Sequence, residues 1–374
     1  MSRSISPPPT KRTPLVDLSE KRWGSEQRIT IYSWNVNGIQ PFIQRPITSF
    51  FGPKRTDLEP GQSELHSVSL RAFLRRHGWP TVVFLQEVKI NPDDKATISA
   101  VEKAVKRQDD EDGDSFNYHA HFCLPSDKNN ARGFGRKVYG VCSIIREDFY
   151  LQCVETVRPV SWDKEGRFLI AETKASDASP KLALINVYAV NGTDNPYKDR
   201  NTGELKGTRH GRKLEVHALL QAEIARLEAG GFQCVIAGDI NIARSALDGF
   251  PNLRTFPKQH CINRADFEAR FLVPNDGKDG EDAAAPCLGM VDTFRQLHPD
   301  TRGYTYYPRT KSFGGSCDRV DMILVSKGLK ESLIEAGIHE TPADRGPSDH
   351  VPLYTTLNLR KSLENVSRDH GTPD

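Results

Sequence analysis

The chain has 374 residues, of which 37% are hydrophobic and 27% are charged. This composition is typical of a globular protein with a sizeable core, and it excludes a fibrous or wholly disordered chain. No apolar run approaches the roughly 18 to 20 residues needed to cross a bilayer, so we expect neither a membrane-spanning helix nor a membrane partner. The 51 basic and 49 acidic residues leave a net charge of +2, which neither requires nor excludes a nucleic-acid partner.

The two ends of the chain differ in composition from its middle. Residues 1–27 are rich in Ser, Pro, Lys and Arg and lack an apolar period, which predicts a disordered leader. The segment 7–12 (PPPTKR) is either part of a nuclear targeting signal or a solvated tail. Residues 360–374 are again polar and predict a flexible tail, so we expect one domain over 28–359. Two interior stretches are acidic or rich in Gly and predict surface loops, namely 107–114 and 275–285.

The seven cysteines are odd in number and contain no Cys-x-x-Cys pair, which fits neither a disulfide framework nor a zinc finger. We therefore interpret them as reduced thiols of the core.

No apolar stretch follows the first basic residue, so we expect no secretory signal peptide and an intracellular location.

Between the two ends, short apolar runs alternate with helical patterns. The runs rich in Val, Ile, Leu and Tyr predict strands at 29–34, 81–86, 138–146, 168–173, 182–188, 233–237, 319–325 and 351–357. Apolar residues at helical spacing predict helices at 63–77, 92–106, 211–229 and 264–272. Several strands are apolar almost throughout, which is typical of a sheet covered on both faces. The fold class is therefore α/β or α+β, with a layered sandwich as the expected architecture.

A carboxylate or carboxamide stands at the end of several predicted strands. These positions are 35–38 (NVNG) after Trp34, Glu87 after Gln86, 239–241 (DIN) after Gly238, Asp321 within an apolar run, and Asp349 with His350 before Val351. A carboxylate against a hydrophobic strand is costly unless it is paired or binds a metal. Any one of them is also explained as a capping or turn residue, but this explanation is strained for all of them together.

These residue types indicate chemistry on a phosphate. Oxygen ligands from Asn, Asp and Glu, without clustered Cys or His, suit Mg²⁺, with Mn²⁺ as the alternative, rather than zinc. A hard cation typically acts on phosphate esters, and Asp239, with Asn241 beside it, is a candidate base for activating water. His350, held as an imidazolium by Asp321, is a candidate proton donor to the phosphate. Tyr188 either donates its hydroxyl to a phosphate oxygen or merely packs.

Six motifs in this order resemble the endonuclease/exonuclease/phosphatase superfamily, in particular its exonuclease III-like (class II) AP endonuclease branch. They are 33–39 (SWNVNGI), 85–89 (LQEVK), 187–191 (VYAVN), 238–243 (GDINIA), 319–324 (RVDMIL) and 348–352 (SDHVP). The motifs span about 320 residues, which makes chance agreement implausible. The resemblance implies a four-layer α/β/β/α sandwich, in which the site lies at one edge where loops from both sheets meet.

The resemblance also implies roles for individual residues. The implied metal ligands are Asn35, Asn37, Glu87 and Asp349. The implied catalytic group consists of Asp239, which orients or deprotonates the attacking water, Asn241, which holds the phosphate, Tyr188, and the pair of Asp321 and His350. The resemblance also implies a phosphate contact from Asn191, and we predict further substrate contacts from Arg212, Tyr306 and Arg319.

The branch cleaves the DNA backbone 5′ to an abasic site and often carries 3′ exonuclease or 3′ repair diesterase activity. The resemblance therefore implies base-excision repair, with abasic or 3′-blocked duplex DNA as the partner. We also expect the protein to be a monomer. The leader and the DNA substrate predict a nuclear location. The mitochondrion is the alternative, because the first 16 residues contain no acid.

One segment departs from the pattern of the branch. Members that grip an abasic sugar carry a large apolar side chain just before the Arg-x-Asp strand, whereas here Cys317 and Asp318 precede Arg319. An acidic residue at this place repels phosphates, so phosphodiester hydrolysis is a firmer expectation than abasic specificity. The same residues resemble a motif of the inositol polyphosphate phosphatases, in which Asp318 would replace Asp321. We favour Asp321 as the family carboxylate, because it continues as a buried strand.

Alternative functions follow from this departure. A phosphoesterase of the same superfamily would act on an inositol phosphate, an RNA 3′ end or a lipid head group, and the fold does not decide among these substrates. A catalytically inactive binding protein is disfavoured, because every motif carboxylate, the imidazole and the tyrosine are present.

Two groups of basic residues are candidate nucleic-acid contacts. The first group either lines a backbone-binding face or consists of scattered solvated charges, and it comprises Lys198, Arg200, Lys206, Arg209, Arg212 and Lys213. The second group, Arg309 and Lys311 beside Tyr306 and Tyr307, is a mixture that is able to stack bases.

Overall fold

The computed structural model of the chain describes residues 27–43, 68–108, 111, 115–131, 137–176, 179–272 and 287–360. The strands are β1 (Arg28–Asn35), β2 (Val82–Gln86), β3 (Tyr118–Cys123), β4 (Val141–Arg146), β5 (Val154–Pro159), β6 (Phe168–Thr173), β7 (Leu182–Tyr188), β8 (Pro196–Lys198), β9 (Leu205–Thr208), β10 (Gln233–Asp239), β11 (Gly249–Phe250), β12 (Val291–Asp292), β13 (Cys317–Asp318), β14 (Asp321–Val325), β15 (Leu333–Ile338) and β16 (Leu353–Asn358). The helices are α1 (Gln40–Ile43), α2 (Leu70–Arg76), α3 (Lys95–Ala104), α4 (Glu147–Cys153), α5 (Arg209–Ala229), α6 (Gln259–Phe271), α7 (Thr293–Leu297) and α8 (Pro342–Arg345). Two short 3₁₀ helices cover Ala246–Asp248 and Lys327–Ser332.

Two six-stranded sheets form the centre of the molecule. One has the strand order β15–β16–β1–β2–β4–β3, and the other has the order β12–β14–β10–β7–β6–β5. Strands β1 and β2 are parallel, as are β7 and β10, while their other neighbours are antiparallel. Parallel neighbours end at the same edge of a sheet, so the residues that follow β1 and β2 lie together, as do those that follow β7 and β10.

Apolar side chains from both sheets fill the space between them. Ile31 and Phe84 of the first sheet belong to the same buried cluster as Leu184 and Val235 of the second, and all four are completely buried. Successive side chains of a strand point to opposite faces, so alternate residues of each strand contribute to this layer. Burying each such side chain stabilises the fold by about 1.5–3 kcal/mol.

Helices cover the outer faces of both sheets. Val216, Leu220 and Ile224 of α5 pack with α6 onto the second sheet. Phe73 of α2 and Val101 of α3 pack onto the first sheet. The result is a four-layer α/β/β/α sandwich, which confirms the α/β class and the architecture expected from the resemblance.

All eight predicted strands are present, with ends that shift by a few residues. The strand predicted at 138–146 begins at Val141, and the strand predicted at 351–357 begins at Leu353. The prediction missed β3, β5, β12 and β15, which lie at the edges of the two sheets and whose side chains are mostly half-buried or exposed. Edge strands of this kind lack the continuous apolar run that marks a central strand.

The four predicted helices are also present. The helix predicted at 63–77 begins at Leu70, where the Ser69 hydroxyl accepts a hydrogen bond from Ala72 N at 3.2 Å, and 63–67 lie outside the described residues. Helix α5 begins two residues before the predicted start, because the Thr208 hydroxyl caps it by accepting from Gly211 N at 3.3 Å. The helix predicted at 92–106 is the shorter α3, and the helix predicted at 264–272 is the longer α6.

The seven cysteines are free thiols, and Cys142, Cys234 and Cys317 are buried as predicted, whereas the other four are partly exposed. Within the described ranges, no helix is long and apolar enough to cross a membrane. The predicted leader lies outside the described residues except for Gln27, as do 361–374 of the predicted tail, the loop 275–285 and most of 109–114.

Candidate active site

A cavity of about 290 Å³ opens where β1, β2, β7 and β10 end. The residues predicted from the sequence that line it are Asn35, Glu87, Tyr188, Asn191, Asp239, Asn241, Tyr306, Asp349 and His350. Asn37 and Asp321 are hydrogen-bonded to two of these residues, Asp349 and His350. Side chains separated by up to about 315 positions in the chain therefore meet at one edge of the sandwich.

Two buried carboxamides join the two sheets next to this edge. Gln86 Nε2 donates to Asn186 Oδ1 at 2.9 Å, and Asn186 Nδ2 donates to Cys142 O at 3.0 Å. Both side chains are completely buried. Because Gln86 precedes Glu87 and Asn186 lies two residues before Tyr188, these bonds fix the ends of β2 and β7 relative to each other.

His350 and Asp321 form a buried pair. His350 Nδ1 lies 2.7 Å from Asp321 Oδ2, and Asp321 is completely buried opposite Asp239 in the register of β14 and β10. Burial by itself lowers the pKa of His350, but the carboxylates of Asp321, Asp239 and Asp349 outweigh it and raise this pKa to about 10. The ring is therefore an imidazolium at neutral pH. The pairing also favours Asp321 over Asp318 as the partner of the histidine.

Asp239 is the buried carboxylate at the end of β10. Its Oδ2 accepts from Asn35 Nδ2 at 3.0 Å, and its Oδ1 accepts from the backbone N of Asn241 at 2.9 Å. Burial, together with the charge of Asp321, raises the pKa of Asp239 to about 7. Asp239, Asp321 and His350 each bring one ligand atom within 4.8 Å of the others. Two carboxylates so close together are stabilised by a neighbouring positive charge.

Asn35 connects carboxylates that follow strands of different sheets. Its Nδ2 donates to Glu87 Oε2 at 3.1 Å as well as to Asp239, and its Oδ1 accepts from Asn37 N at 3.0 Å. The other carboxylate oxygen of Glu87 lies 2.9 Å from Lys89 Nζ. Asn35 therefore sets the distance between Glu87 on the first sheet and Asp239 on the second.

The segment 348–350 is tied to the end of β1. Ser348 Oγ donates to Asn35 O at 2.6 Å and accepts from His350 N at 3.0 Å. Asn37 Nδ2 donates to Asp349 Oδ1 at 2.9 Å, so Asn37 orients Asp349. These bonds place Asp349 and His350 beside Asn35, although more than 300 residues separate them in the chain.

Two residues that line the cavity, and Asn37 beside it, have backbone angles in the left-handed region. The φ angles are +50° at Asn37, +56° at Glu87 and +56° at Asn241. Asn adopts such angles readily, whereas for Glu they cost roughly 1–3 kcal/mol. The packing of the following turn, in which Val88 N donates to Gly140 O at 3.0 Å, holds Glu87 in this conformation. Such residues cluster where a fold must aim a side chain into a site.

The oxygen-bearing side chains of the cavity fit a divalent cation. Asn35, Glu87 and Asp349 line it, and their hard oxygen atoms are the ligands that Mg²⁺ or Mn²⁺ prefers. The carboxylates of Glu87 and Asp239 share one amide donor, and Asp321 Oδ1 is buried without a hydrogen-bond partner among the described residues. This excess of negative oxygen atoms over donors is typical of a cation site.

Tyr188 ends β7 and lines the cavity, held by a stack of side chains. The Arg167 guanidinium lies 4.9 Å from the centroid of the Tyr188 ring and 3.8 Å from that of Tyr139. Arg167 in turn binds Glu165 at 3.0 Å. Burial, with a further contribution from Glu87, raises the pKa of Tyr188, so its hydroxyl remains protonated and able to donate.

Lys213 fixes the two loops that carry Asn191 and Asn241. Its Nζ donates to Val190 O at 2.9 Å, to Ile240 O at 3.1 Å and to Asn241 O at 3.1 Å. Asn241 Nδ2 also donates to Ala189 O at 3.1 Å. Lys213 is thus a structural clamp of the site rather than part of a backbone-binding face. A lysine near the start of a helix gave no sequence signal for this role.

Two predicted substrate contacts, Arg319 and Arg212, do not line this cavity. Arg319 is completely buried, and its guanidinium binds Asp248 Oδ1 at 2.6 Å and Asp292 Oδ2 at 2.9 Å, so it faces the interior and not the cavity. Arg212 lines a second cavity, where its Nη1 lies 3.0 Å from Glu215 Oε2. The one-residue step along α5 from Lys213 to Arg212 turns the side chain toward a different face.

The basic groups predicted as nucleic-acid contacts do not form one surface. Arg209 is buried against Glu165 at 2.6 Å, and Lys213 is buried at the first cavity. Arg200, Lys206 and Arg212 line the second cavity. In the other group, Tyr307 is buried and stacks on Phe313 at 4.1 Å, so it is not available to bases, and Arg309 donates to Gly346 O at 2.6 Å. Tyr306 remains at the cavity, with its ring centroid 5.0 Å from that of His350.

A further set of cavity residues was not predicted from the sequence. They are Arg254, His260, Asn263, Arg264 and Asp318, the last of which entered only as a departure from the motif. Most of these residues lie in the loop after β11 and at the start of α6. No strand end there indicates from the sequence that they belong to a site. Their position depends on how α6 packs against α5, which only the fold determines.

Comparison with known proteins adds to this geometry. A sequence model of the Endonuclease/Exonuclease/phosphatase family matches residues 32–350. DNA-(apurinic or apyrimidinic site) endonuclease 2 of Mus musculus is 30% identical over 209 residues, which cover 53% of this chain and 36% of that protein. An exodeoxyribonuclease of Bacillus subtilis (strain 168) is 29% identical over 133 residues, which cover 33% of this chain and 44% of that protein. The matched regions span less than half of these relatives.

Solved structures resemble the fold over most of its length. The crystal structure of the AP endonuclease LMAP from Leishmania major superposes with a TM-score of 0.60 at 19% identity, covering 89% of this chain and 88% of that chain. At this identity the likeness establishes the shared fold. It agrees with the four-layer sandwich described above.

Proposed function

The chain belongs to the Endonuclease/Exonuclease/phosphatase family, and on this basis we propose that it is a divalent-metal-dependent DNA phosphodiesterase of base-excision repair. It hydrolyses the backbone 5′ to abasic sites, removes nucleotides or blocking groups from 3′ ends, or does both. One observation carries the proposal: Asp239, the pair of Asp321 and His350, and the carboxamides of Asn35 and Asn241 surround a single cavity.

Each group has a place in the hydrolysis. Asp239 orients the attacking water and accepts its proton, since its carboxylate lies in the cavity and is held by Asn35. His350 and Asn241 stabilise the negative charge that builds up on the phosphate, and Tyr188 donates its hydroxyl to it. A bond forms between the water oxygen and phosphorus while the bond between phosphorus and the 3′ oxygen breaks, and the leaving oxygen takes up a proton from solvent. The products are a 3′ hydroxyl and a 5′ phosphate.

A divalent cation is part of this proposal. Asn35, Glu87 and Asp349 would hold Mg²⁺ or Mn²⁺, and Asn37 would orient Asp349. When bound, such a cation would supply Lewis-acid polarisation of a phosphoryl oxygen and would stabilise negative charge on the leaving oxygen. The chain itself orients the water and binds the phosphate through the residues named above.

The relatives support DNA as the substrate. The mouse relative is named as an endonuclease of apurinic or apyrimidinic sites, and the Bacillus relative is named as an exodeoxyribonuclease. The pairing of His350 with Asp321 rather than Asp318 removes the main reason for an inositol phosphatase register. Both points favour a nucleic-acid phosphodiester over a small phosphate ester.

The test compares purified protein on four substrates in Mg²⁺. They are a duplex with one abasic analogue, a nicked duplex with a blocked 3′ end, single-stranded RNA and inositol phosphates. We expect the wild-type protein to cleave at least one of the two DNA substrates. The variants Asp239→Asn and His350→Ala should both lose this cleavage while they keep the wild-type circular dichroism spectrum. Release of phosphate from inositol phosphates without DNA cleavage would contradict the proposal.

We also propose that the protein is a monomer and resides in the nucleus. The basic segment 7–12 and the DNA substrate support this location. The location is tested by fluorescent fusions of the protein with and without residues 1–27. We expect the nuclear signal to be lost when these residues are deleted, and a mitochondrial signal would contradict the nuclear location. Analytical ultracentrifugation tests the monomer.

A further inference from the structure

Part of the cavity wall consists of polar side chains that the proposed hydrolysis does not use. They are Arg254, His260, Asn263, Arg264 and Asp318. Two of them are cationic and one is anionic, and they lie in the same cavity as Asp239 and His350. This wall of polar and charged side chains lies where it would contact the part of the substrate next to the reacting phosphate.

Backbone pairing holds Asp318 close to the histidine. Asp318 N donates to Tyr306 O at 3.1 Å and Tyr306 N donates to Asp318 O at 2.8 Å, while Tyr306 also pairs with His350. The Tyr306 segment thus lies between the other two. Since neighbouring strands are about 4.8 Å apart, the backbone of Asp318 lies roughly 10 Å from that of His350. This is within the span of one nucleotide beside the phosphate.

The Asp318 carboxylate has no partner among the residues that the structure describes. It makes no hydrogen bond or ion pair with any residue of the described ranges, although it is partly buried. Arg254 and Arg264 line the same cavity as Asp318; burial raises the pKa of this carboxyl, and the charges of the two arginines lower it. Arg264 is itself fixed, because its Nε donates to Ala243 O at 2.7 Å and its Nη2 donates to Arg254 O at 2.8 Å.

A ligand that fits this wall offers a hydrogen-bond donor to the Asp318 carboxylate and acceptors to the neighbouring guanidinium groups. Asp318 repels a second phosphate, and a deoxyribose without a base is mostly apolar. A nucleobase offers exocyclic amino groups as donors and ring nitrogens and carbonyls as acceptors. Asp accepts from the cytosine amino group and Arg donates to base acceptors in protein–DNA complexes, and enzymes that take up an unstacked base read it in this way.

On the basis of the DNA phosphodiesterase function proposed above, we propose that this wall binds an intact nucleobase on the nucleotide next to the hydrolysed phosphate. Asp318 accepts a hydrogen bond from an exocyclic amino group of that base. The preferred substrate is then a 3′-terminal nucleotide that carries its base, rather than a base-free sugar. Among such nucleotides dC is removed faster than dT, because thymine has no exocyclic amino group.

The test compares three duplexes that differ in one nucleotide. Two have a single unpaired 3′-terminal nucleotide, dC or dT, so that base-pairing strength does not differ between them, and the third has an internal tetrahydrofuran abasic analogue. We expect the wild-type chain to remove dC about tenfold faster than dT. It should also cleave the abasic analogue more slowly than it removes dC.

The variant Asp318→Leu is expected to lose the preference for dC and to shift the ratio of rates toward the abasic analogue. Asp300→Leu is the matched control, because Asp300 is an exposed carboxylate outside the cavity, and its ratios should equal those of the wild type. Should Asp318→Leu fail to fold, Asp318→Asn with the control Asp300→Asn makes the same comparison, since it keeps the size of the side chain and removes its charge.

The outcomes separate two failures. Equal wild-type rates for dC and dT, or a dC to dT ratio that Asp318→Leu leaves unchanged, would overturn the assignment of a base-binding wall while DNA cleavage itself stands. Absence of cleavage on all three duplexes would instead contradict the phosphodiesterase function on which the assignment rests.

Discussion

His350 and Asp321 lie 2.7 Å apart in a buried pair, and we expect them to act as one unit. His350→Ala and Asp321→Ala should each lower kcat by roughly 10³-fold or more, and the double variant should lose little beyond either single one. Single-turnover rates of DNA cleavage for the four proteins measure this coupling. Losses that multiply in the double variant would show that the two residues act independently.

Lys213 is a single residue on which two loops of the site depend. Lys213→Met keeps most of the side-chain stem but leaves the carbonyls of Val190, Ile240 and Asn241 without their donor. Each unsatisfied buried carbonyl costs about 1–3 kcal/mol, so we expect a lower Tm together with a lower kcat. The exposed Lys327→Met is the control. A Tm equal to that of the control would contradict the clamp.

Arg319 is a buried charged residue that we expect to stabilise the fold. Its guanidinium is completely buried between Asp248 and Asp292. Arg319→Met leaves two buried carboxylates with fewer partners, which typically costs 3–5 kcal/mol. Thermal denaturation should therefore show a large fall in Tm. If instead Tm is retained and only KM for DNA rises, the sequence-based interpretation of Arg319 as a substrate contact is restored.

At the level of strands and helices, the ends of parallel strands were the most predictable feature. Asn35, Glu87, Tyr188 and Asp239 each follow an apolar run, and the fold brings them to one edge because parallel strands end together. Side chains that approach from helices were not predictable. The sequence does not reveal that Lys213 points into the site while its neighbour Arg212 points away, since this depends on the rotation of α5 against the sheet.

The close contact between β7 and β10 depends on a glycine. A Cβ atom placed on Gly238 would lie 1.8 Å from Val187 O, so no side chain fits between the two strands there. Gly238→Ala should push β10 from β7, displace Asp239 from Tyr188, and lower both Tm and kcat. Gly211→Ala in α5 meets nothing within 4 Å and should instead stabilise the protein by about 0.5–1 kcal/mol. Equal effects of the two substitutions would contradict this packing.

At the level of the whole molecule, the site exists only when both sheets are formed. Asn35 and Glu87 belong to the first sheet, Tyr188 and Asp239 to the second, and the bond between Gln86 and Asn186 joins them. The net charge of +2 adds little general attraction for DNA, so we expect recognition of the proposed DNA substrate to depend on the groups of the cavity. The same groups carry the excess of carboxylates that a divalent cation would neutralise.

Cation binding is therefore expected to stabilise the entire fold. A ligand that binds only the native state at about 100 times its Kd adds about 2.7 kcal/mol of stability, so Mg²⁺ or Mn²⁺ should raise Tm and a chelator should reverse the rise. Glu87→Gln should reduce this rise, because it removes one carboxylate from the proposed ligand set, whereas the exposed Glu331→Gln should retain it. Differential scanning calorimetry with increasing Mg²⁺ gives the comparison without any substrate. A rise of equal size in Glu87→Gln would place the cation elsewhere, even if DNA cleavage still required it.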